Sequence, residues 1–461
     1  MLTTSSNSYT EKADVLVVYP PLHRLYGEHK QWMPLSILYL TAYLNEHGIS
    51  AKAYNSDCSL QEPERVMSYS DRFQSGKYFG ENLNSDNYIC DEIKQAIREV
   101  SPSIVGISVF TEALGSTKKL IGIIREYNPS ITIIAGGPHA EIDPDYLINC
   151  LKVDYVIKGD GEKTLFDLCN FLLHGNLLSI PEQQMKQHIL TSVRIDLDEL
   201  PIPKLEYHYR YAAYRKVGRK LNISTSRGGC VYACKFCYCS KYKYTLRFRP
   251  ASSVIEEIEY YISHYNTKKV FFVDDTFTIR PQYIKEICNL IIDKQLTISW
   301  TCTTRAKQIN ESLLSLMKKA GCKSIHLGVE SGSPRMLELI DKKINIDDVV
   351  NASKMIKDAG IECRLFFMAG LPTEKTSDLQ MTIDLIKLVQ PDETIMSMYV
   401  PIPGTSLYDM ICQYYYPFDK VDWTTFSRDK TPYHSYIDDP DNTYDIILDE
   451  LYQLVERMNS H

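Results

Sequence analysis

The chain has 461 residues, 44% of them hydrophobic and 24% charged, the balance of a soluble globular protein too long for one core and long enough for two or three domains. A net charge of −7 argues against a general nucleic-acid binder. No apolar run approaches the ~18 residues of a membrane span, and the opening "MLTTSSNSYTEKAD" is polar rather than signal-like, so a cytoplasmic location is expected.

Residues 1–12 read as a tail. "DVLVVYPP" (14–21) is an apolar strand stopped by a double proline. The helix pattern "PLSILYLTAYLNEHG" (34–48) ends at Gly48. After "SAKAYN" come a polar, loop-like insertion over 55–87 and the helix "YICDEIKQAIREV". "SIVGISVF" (103–110), a helix over 115–127, "ITIIAGG" (131–137), "VDYVIKGDGE" (153–162) and the helix "KTLFDLCNFLLHG" complete the run. Five strands alternating with helices predict an α/β fold, a Rossmann-like doubly wound parallel sheet over 13–175. Ligands on such sheets sit beyond the carboxyl ends of the strands. Those ends carry Pro20–Pro21, Ser108–Phe110, Gly136–Gly137–Pro138 and Gly159–Asp160–Gly161.

Residues 176–220, with "LPIPK" and a Tyr/Arg-rich segment, read as a linker. A second alternation follows, with strands at "LNIST" (221–225), "KKVFFVDD" (268–275), "TISWTCTT" (297–304), "SIHLGVE" (324–330), "IECRLFFMAG" (361–370) and "TIMSMYV" (394–400). Six βα units over 221–410 suit an open, partial (β/α)6 barrel better than a closed eight-fold one. The Tyr- and Asp-rich residues 411–461 read as a small C-terminal cap or tail.

Of 13 cysteines, most are scattered singly, and a buried small hydrophobe is their plain reading. "RGGCVYACKFC" (227–237) instead puts Cys230, Cys234 and Cys237 into eight positions, with Cys239 two residues on. The loop follows the barrel's first strand, at the mouth where barrel catalysis sits. Three thiolates can hold three irons of a cubane cluster and leave the fourth open, as a catalyst needs; a structural site fills every position. A structural zinc on all four cysteines is the alternative. Cys237 and Cys239 suit one tetrahedral ion poorly, and no second Cys-x-x-Cys knuckle follows.

Cys230-x-x-x-Cys234-x-Phe236-Cys237 after a barrel's first strand resembles the radical S-adenosylmethionine (radical SAM) signature. "FFVDDTF" (271–277), "GVESGS" (328–333), "FFMAGLPTE" (366–374) and "PIPGTSLY" (401–408) match the family's segments after the second, fourth, fifth and sixth strands. The N-terminal "YPP…PLSILYLTAYL", "GGPH" and "GDGE" are similar to cobalamin-binding radical SAM proteins, so the resemblance covers residues 13–410. It implies a 4Fe-4S cluster on Cys230, Cys234 and Cys237, whose open iron chelates S-adenosylmethionine and whose electron releases a 5′-deoxyadenosyl radical. It gives SAM contacts to Phe236, Asp274, Asp275, Arg305, Glu330, Ser331, Gly370 and Glu374. Cys239 lies outside the motif and reads as a bystander.

For cobalamin the resemblance implies a cradle from Pro20 and the turns Ser108–Glu112, Gly136–His139 and Gly159–Glu162: Ser108, Thr111, Glu112, Gly136, Gly137, His139, Gly159 and Glu162. Ordinary βα punctuation explains each glycine pair taken singly. Asp-x-His-x-x-Gly, by which some cobalamin proteins supply histidine to cobalt, is absent, so no protein histidine need be a lower ligand. His23 and His139 read as loop residues. Gly-Asp-Gly-Glu departs from the commoner Gly-Glu-Gly-Glu and leaves the contacts of Asp160 open.

Several residues keep more than one reading. Asp274 and Asp275 serve as acid and base, as positioning groups, or as an N-cap near Pro281. Glu330 orients the ribose or pairs with Arg305. Glu374 contacts the cofactor or caps a helix near Thr376. "KYKYTLRFR" (241–249) organises the cysteine loop or the substrate entry or, as a basic aromatic patch, binds nucleic acid. The function implied is an oxygen-sensitive, cobalamin-dependent radical SAM methyltransferase that moves methyl from S-adenosylmethionine through methylcobalamin to an unactivated carbon, with cobalamin between the two carboxyl-terminal strand faces. A cyclase, rearrangement or oxidation enzyme using the same cofactors is the alternative; a methylthiotransferase or a cobalamin sensor fits less well. The expected partners are a small-molecule or peptide substrate and an electron donor such as flavodoxin or ferredoxin.

Overall fold

A computed structural model describes residues 11–28, 32–58, 79–176, 180–212, 220–241, 245–426 and 431–459. They fall into two compact units. One holds the described residues up to 212 together with Trp423–Thr425; the other holds the rest of the described residues from 220 onward.

The first unit is a six-stranded, wholly parallel sheet in the order β2-β1-β3-β4-β5-β6. Its strands are β1 (Val15–Tyr19), β2 (Ala51–Asn55), β3 (Ile104–Ser108), β4 (Thr132–Gly136), β5 (Tyr155–Lys158) and β6 (Ile189–Thr191). The principal helices between them are α1 (Leu35–Glu46), α2 (Tyr88–Val100), α3 (Leu114–Tyr127) and α4 (Glu162–His174). Parallel strands covered on both faces must be apolar throughout, and Val15, Leu16, Val17 and Val18 are all buried. Helix α2 shows the local logic. Asn87 caps it by accepting the N–H groups of Ile89 and Cys90, and Ile89, Ile93, Ala96, Ile97 and Val100 form the buried stripe.

Sequence reading expected five strands here, and the sixth lies in the segment read as a linker. Strand β6 pairs with β5 through Val156, Ile157 and Lys158. Its three residues are too few for a period-two pattern to stand out. Tyr209, from the same segment, donates its N–H to the Ala53 carbonyl (2.8 Å) and its hydroxyl to Glu99 (2.6 Å). The insertion over 55–87 is described only outside 59–78.

The second unit is a six-stranded parallel sheet in the order β14-β13-β12-β11-β10-β7. Its strands are β7 (Leu221–Ile223), β10 (Lys269–Phe272), β11 (Ser299–Thr304), β12 (Cys322–Glu330), β13 (Glu362–Ala369) and β14 (Glu393–Met398). Because β7 and β14 each have one neighbour, the barrel is open, as expected. A short antiparallel pair, β8 (Ser226–Arg227) and β9 (Arg247–Phe248), closes the loop between β7 and the next helix. The outer helices are α5 (Ala251–Tyr265), α6 (Pro281–Asp293), α7 (Glu311–Lys319), α8 (Ile346–Asp358) and α9 (Thr376–Val389). From the C-terminal residues comes α10 (Tyr444–Asn459), which buries Tyr444, Leu448, Leu451, Tyr452 and Val455. Asn459 accepts from the Thr394 N–H (2.9 Å) and donates to its carbonyl (2.7 Å), so α10 ties down the edge strand β14. Among the described residues no helix is long and apolar enough to cross a membrane.

Candidate active site

The cysteine loop hangs from the carboxyl end of β7, and the structure shows what holds it there. Asp274, just past β10, is buried and accepts the Thr225 N–H (3.0 Å) and the Ser226 hydroxyl (2.5 Å). Burial pushes its carboxyl upward, against the pull of those donors. Arg249 donates its N–H to the Thr225 carbonyl (2.9 Å) and its guanidinium to the Ser224 carbonyl (2.9 Å). That guanidinium also forms a buried pair with Glu257 (2.6 Å). The basic stretch 241–249, described except at 242–244, is thus tied into the loop through β9 and Arg249. At Gly228 (φ +115°) an added Cβ would lie 2.4 Å from the Thr245 carbonyl oxygen, so only glycine fits.

Cys230, Cys234 and Cys237 are buried or half-buried. The Cys230 sulfur lies 3.7 Å from the Thr276 hydroxyl. Arg305, past the end of β11, donates to the Cys234 sulfur (3.3 Å), and its guanidinium lies 3.9 Å from the Tyr232 ring centroid. The hydrogen bond from Cys239 brings the Cys237 thiol down to about 7, while Cys239 itself is pushed upward; Cys237 is the readier thiolate. Among the described residues no three His, Cys, Asp or Glu side chains converge as a single ion requires. Three separate iron corners of a cubane do not require it, and one-loop thiolates beside a cationic donor fit such a cluster.

Beside Cys230 opens a cleft whose lining includes Ser226, Asp274, Asp275 and Thr276. The helix near Pro281 is preceded by Arg280 with no side-chain cap, so neither aspartate caps it. A second group gathers on Lys342, a residue that nothing in its charged "DKKIN" context marks out. Its ammonium pairs with Glu330 (2.5 Å) and lies 5.7 Å from the Phe236 ring centroid, and its carbonyl accepts from Arg305. The Glu330–Arg305 pair considered from sequence therefore does not form; both residues meet on Lys342 instead. Glu330 adopts φ +76° where the β12–β13 register shifts, a backbone strain of the kind found at functional positions. Ser331 is fully buried, and its hydroxyl accepts the Ser333 N–H (3.1 Å).

Gly370 and Glu374 form a third group. Glu374 is fully buried; one carboxylate oxygen accepts the N–H groups of Gly370 (2.7 Å) and Leu371 (3.2 Å) and the hydroxyl of Tyr444 (2.5 Å). Its other oxygen has no partner, and burial pushes the carboxyl up to about 7. The residue capping α9 is Lys375, so Glu374 is a loop clamp rather than a helix cap. Tyr232, Lys342 and Tyr444 carry no sequence signal for these contacts.

In the first unit, the turns after β3 and β4 are joined. Val109 donates its N–H to Gly136 (2.8 Å) and accepts that of His139 (3.0 Å). Thr111 meets His139 Nδ1 at 3.0 Å. His139 is buried, its Nε2 has no partner, and burial lowers it to about 4, so it is neutral. Ser108, Gly136 and Gly137 lie in the same pair of turns. Pro20 follows β1, Gly159 (φ +87°) follows β5 and Glu162 opens α4 with its side chain buried; Glu112 lies in the turn after β3. Tyr19 stacks on Phe110 (5.2 Å), and Trp32, whose buried indole N–H has no partner, meets Tyr19 edge-on (5.3 Å). An aromatic shelf with orphaned polar atoms at the carboxyl edge suits a large, amide-fringed apolar ligand such as cobalamin.

Comparison with known proteins agrees with both assignments. The model of the radical SAM superfamily matches residues 225–386, and that of the B12 binding domain matches residues 29–168. An uncharacterized methyltransferase of Pyrococcus horikoshii is 30% identical over 328 residues, 69% of this chain and 71% of that protein. The anaerobic magnesium-protoporphyrin IX monomethyl ester cyclase of Rubrivivax gelatinosus is 25% identical over 332 residues, 69% of this chain and 60% of that one. The solved structure of the radical SAM methyltransferase TsrM from Kitasatospora setae, with cobalamin and a [4Fe-4S] cluster bound, superposes with a TM-score of 0.65 at 17% identity, covering 87% of this chain and 75% of that one. With a cysteine loop fit for an open cluster and a B12-type sheet in one polypeptide, the chain belongs to the radical SAM superfamily, among its members with a cobalamin-binding domain, and is an enzyme whose cofactors are a 4Fe-4S cluster, S-adenosylmethionine and cobalamin.

Proposed function

We propose that the protein is a cobalamin-dependent radical SAM methyltransferase acting on an unactivated carbon of a small molecule or peptide, supplied with electrons by a flavodoxin- or ferredoxin-type donor. The observation that carries this reading is the alignment with the Pyrococcus methyltransferase. At 328 residues it is too long to lie within either compact unit, so it draws on both. When bound, the cluster supplies the electron that cleaves S-adenosylmethionine, and cobalamin supplies a carrier for its methyl group.

The chain's own residues bind and orient. Cys230, Cys234 and Cys237 hold the cluster, and Arg305 neutralises charge at the Cys234 sulfur. The cleft beside Cys230, with Asp275 and the backbone at 274–276, takes the cofactor's amino-acid end, while the Phe236–Lys342–Glu330 group supports its nucleoside end. Glu374 and Tyr444 stiffen the turn at Gly370. Pro20, Ser108, Thr111, Glu112, Gly136, Gly137, His139, Gly159 and Glu162 cradle the corrin. A cyclase outcome is the second reading, favoured by the Rubrivivax relative.

The test is anaerobic expression with cobalamin, metal analysis, and incubation of reduced protein with S-adenosylmethionine bearing a deuterated methyl group. About four irons and one cobalt per chain, 5′-deoxyadenosine, and deuterated methyl recovered on the corrin are expected, all but the cobalt lost in Cys230→Ala. Deoxyadenosine with no label on the corrin would overturn methyl carriage and favour the cyclase.

A further inference from the structure

The open barrel has an inner face that its own side chains do not fill. Side chains alternate between the two faces of each strand. On one face Phe272, Ile325, Leu365 and Phe367 are buried; on the other Phe271, Phe366 and Ile395 are only half-buried. One contact shows that this second face is the concave one. The ring of His326, on β12, lies 5.7 Å from that of Phe271, on β10. Strand β11 runs between them, so the two backbones stand about 10 Å apart, and rings meet over that distance where the sheet curls toward itself. A closed barrel packs its interior with side chains. Half-buried aromatic rings inside this open one line a concave, mostly apolar site of the kind small molecules occupy.

Two polar groups on this face have no protein partner. His326 is 7% exposed, stands edge-on to Phe366 (5.3 Å between centroids) and makes no hydrogen bond among the described residues. Burial, with Arg364 and Lys220 nearby, lowers it to about 3, so the ring is neutral. Buried polar side chains ordinarily find a partner. Lys220, the residue before β7, holds its ammonium 4.7 Å from the centroid of the same Phe271 ring and forms no ion pair among the described residues. The neighbouring carboxylates are already engaged: Glu393 (2.8 Å) and Glu362 (3.3 Å) both pair with Arg364. Burial and then Arg364 hold Lys220 below the ordinary lysine value, with Glu393 offsetting part of this and Lys269 adding to it. The inner face therefore carries a cation that nothing in the barrel neutralises.

We propose that this face selects an anionic small molecule with an apolar body as the substrate. Lys220 pairs with its carboxylate or phosphate, His326 gives the anion a hydrogen bond, and the apolar body lies against Phe271 and Phe366. The four residues from His326 to Glu330 span about 13 Å of strand. The anion is thus held well below the Glu330 level, and the opposite end of the molecule reaches up toward it. That the ligand is the substrate rests on the methyltransferase reading given above.

The test is anaerobic calorimetry on the full-length protein, loaded with its cofactors, with three probes of one shape: 3-phenylpropionate, 2-phenylethyl phosphate and the neutral 3-phenylpropanamide. At least one anion should bind about tenfold more tightly than the amide, and the tighter anion tells carboxylate from phosphate. Lys220→Met should abolish that preference, Lys220→Arg should keep it, and His326→Phe should weaken the anion about tenfold. Should either variant lose its iron and fail to fold, the amide comparison on unsubstituted protein decides. Equal binding of anions and amide, a preference untouched by both Lys220→Met and His326→Phe, or no binding of any probe at millimolar concentration would overturn the site. None of these readouts needs methyl transfer, so their failure leaves methyl carriage on the corrin standing. Protein that prefers the anions yet carries no methyl would keep the site and overturn the methyltransferase reading.

Discussion

Replacing Tyr444 by phenylalanine removes one oxygen from the fully buried clamp at Gly370, and its effect depends on pH. Burial raises Glu374 from 4.5 to about 7, so the folded state holds this proton more tightly than the unfolded chain does. The stability it contributes is fully present below about pH 4.5 and is lost as pH rises through about 7, roughly 3 kcal/mol in all. The Tyr444 hydroxyl donates to the ionised carboxylate at 2.5 Å and offsets part of that loss. A hydrogen bond to a charged group is worth about 1.5–3 kcal/mol and one between neutral groups about 1 kcal/mol. Tyr444→Phe should therefore lower stability by about 1 kcal/mol at pH 5.5 and about 2–3 kcal/mol at pH 8.5. For a unit of this size, at about 2–4 °C per kcal/mol, the barrel's thermal transition should fall by about 2–4 °C at the lower pH and roughly twice that at the higher. Paired anaerobic melts of both proteins at the two pH values measure the difference, in which other titrating groups cancel. Equal drops at both pH values would refute the clamp as a charge-assisted contact.

Arg305→Lys should make the cluster harder to reduce, because lysine cannot lie flat on Tyr232 while donating to Cys234, and a lost donor to a cluster sulfur disfavours the more negative state. A redox titration followed by electron paramagnetic resonance would show the lower potential, and an unchanged midpoint would count against the contact. Gly137→Ala should cost about 1–3 kcal/mol, since the residue sits at φ +91°, ψ −175°, a region nearly closed to side chains, and the new Cβ would lie 2.8 Å from the Val109 carbonyl oxygen. The transition of the first unit should fall and bound cobalt with it. Gly136→Ala, where the nearest atom is 3.6 Å away, should change the transition far less.

The barrel was legible because each of its strands is a run of apolar or β-branched residues bounded by turn residues, and because βα alternation admits only a parallel sheet. Strand β6 was missed because three residues carry no period; only its pairing with β5 makes it a strand. That Cys230, Cys234 and Cys237 gather on one loop was legible for a local reason: three thiolates on one loop owe their proximity to chain connectivity alone. The partner shared by Glu330 and Arg305 was not, because both meet on Lys342, whose "DKKIN" setting looks like solvated surface until burial is known. Tyr444 lies 70 residues beyond Glu374.

By itself, then, the sequence determined most of the elements, their parallel alternation and the gathering of Cys230, Cys234 and Cys237 on one loop. Contacts between distant residues, which decide what the buried Glu374, Lys342 and His326 do, came only from the tertiary structure. A buried polar group takes its partner from whatever the fold brings within about 3 Å, and spacing along the chain holds no record of that distance.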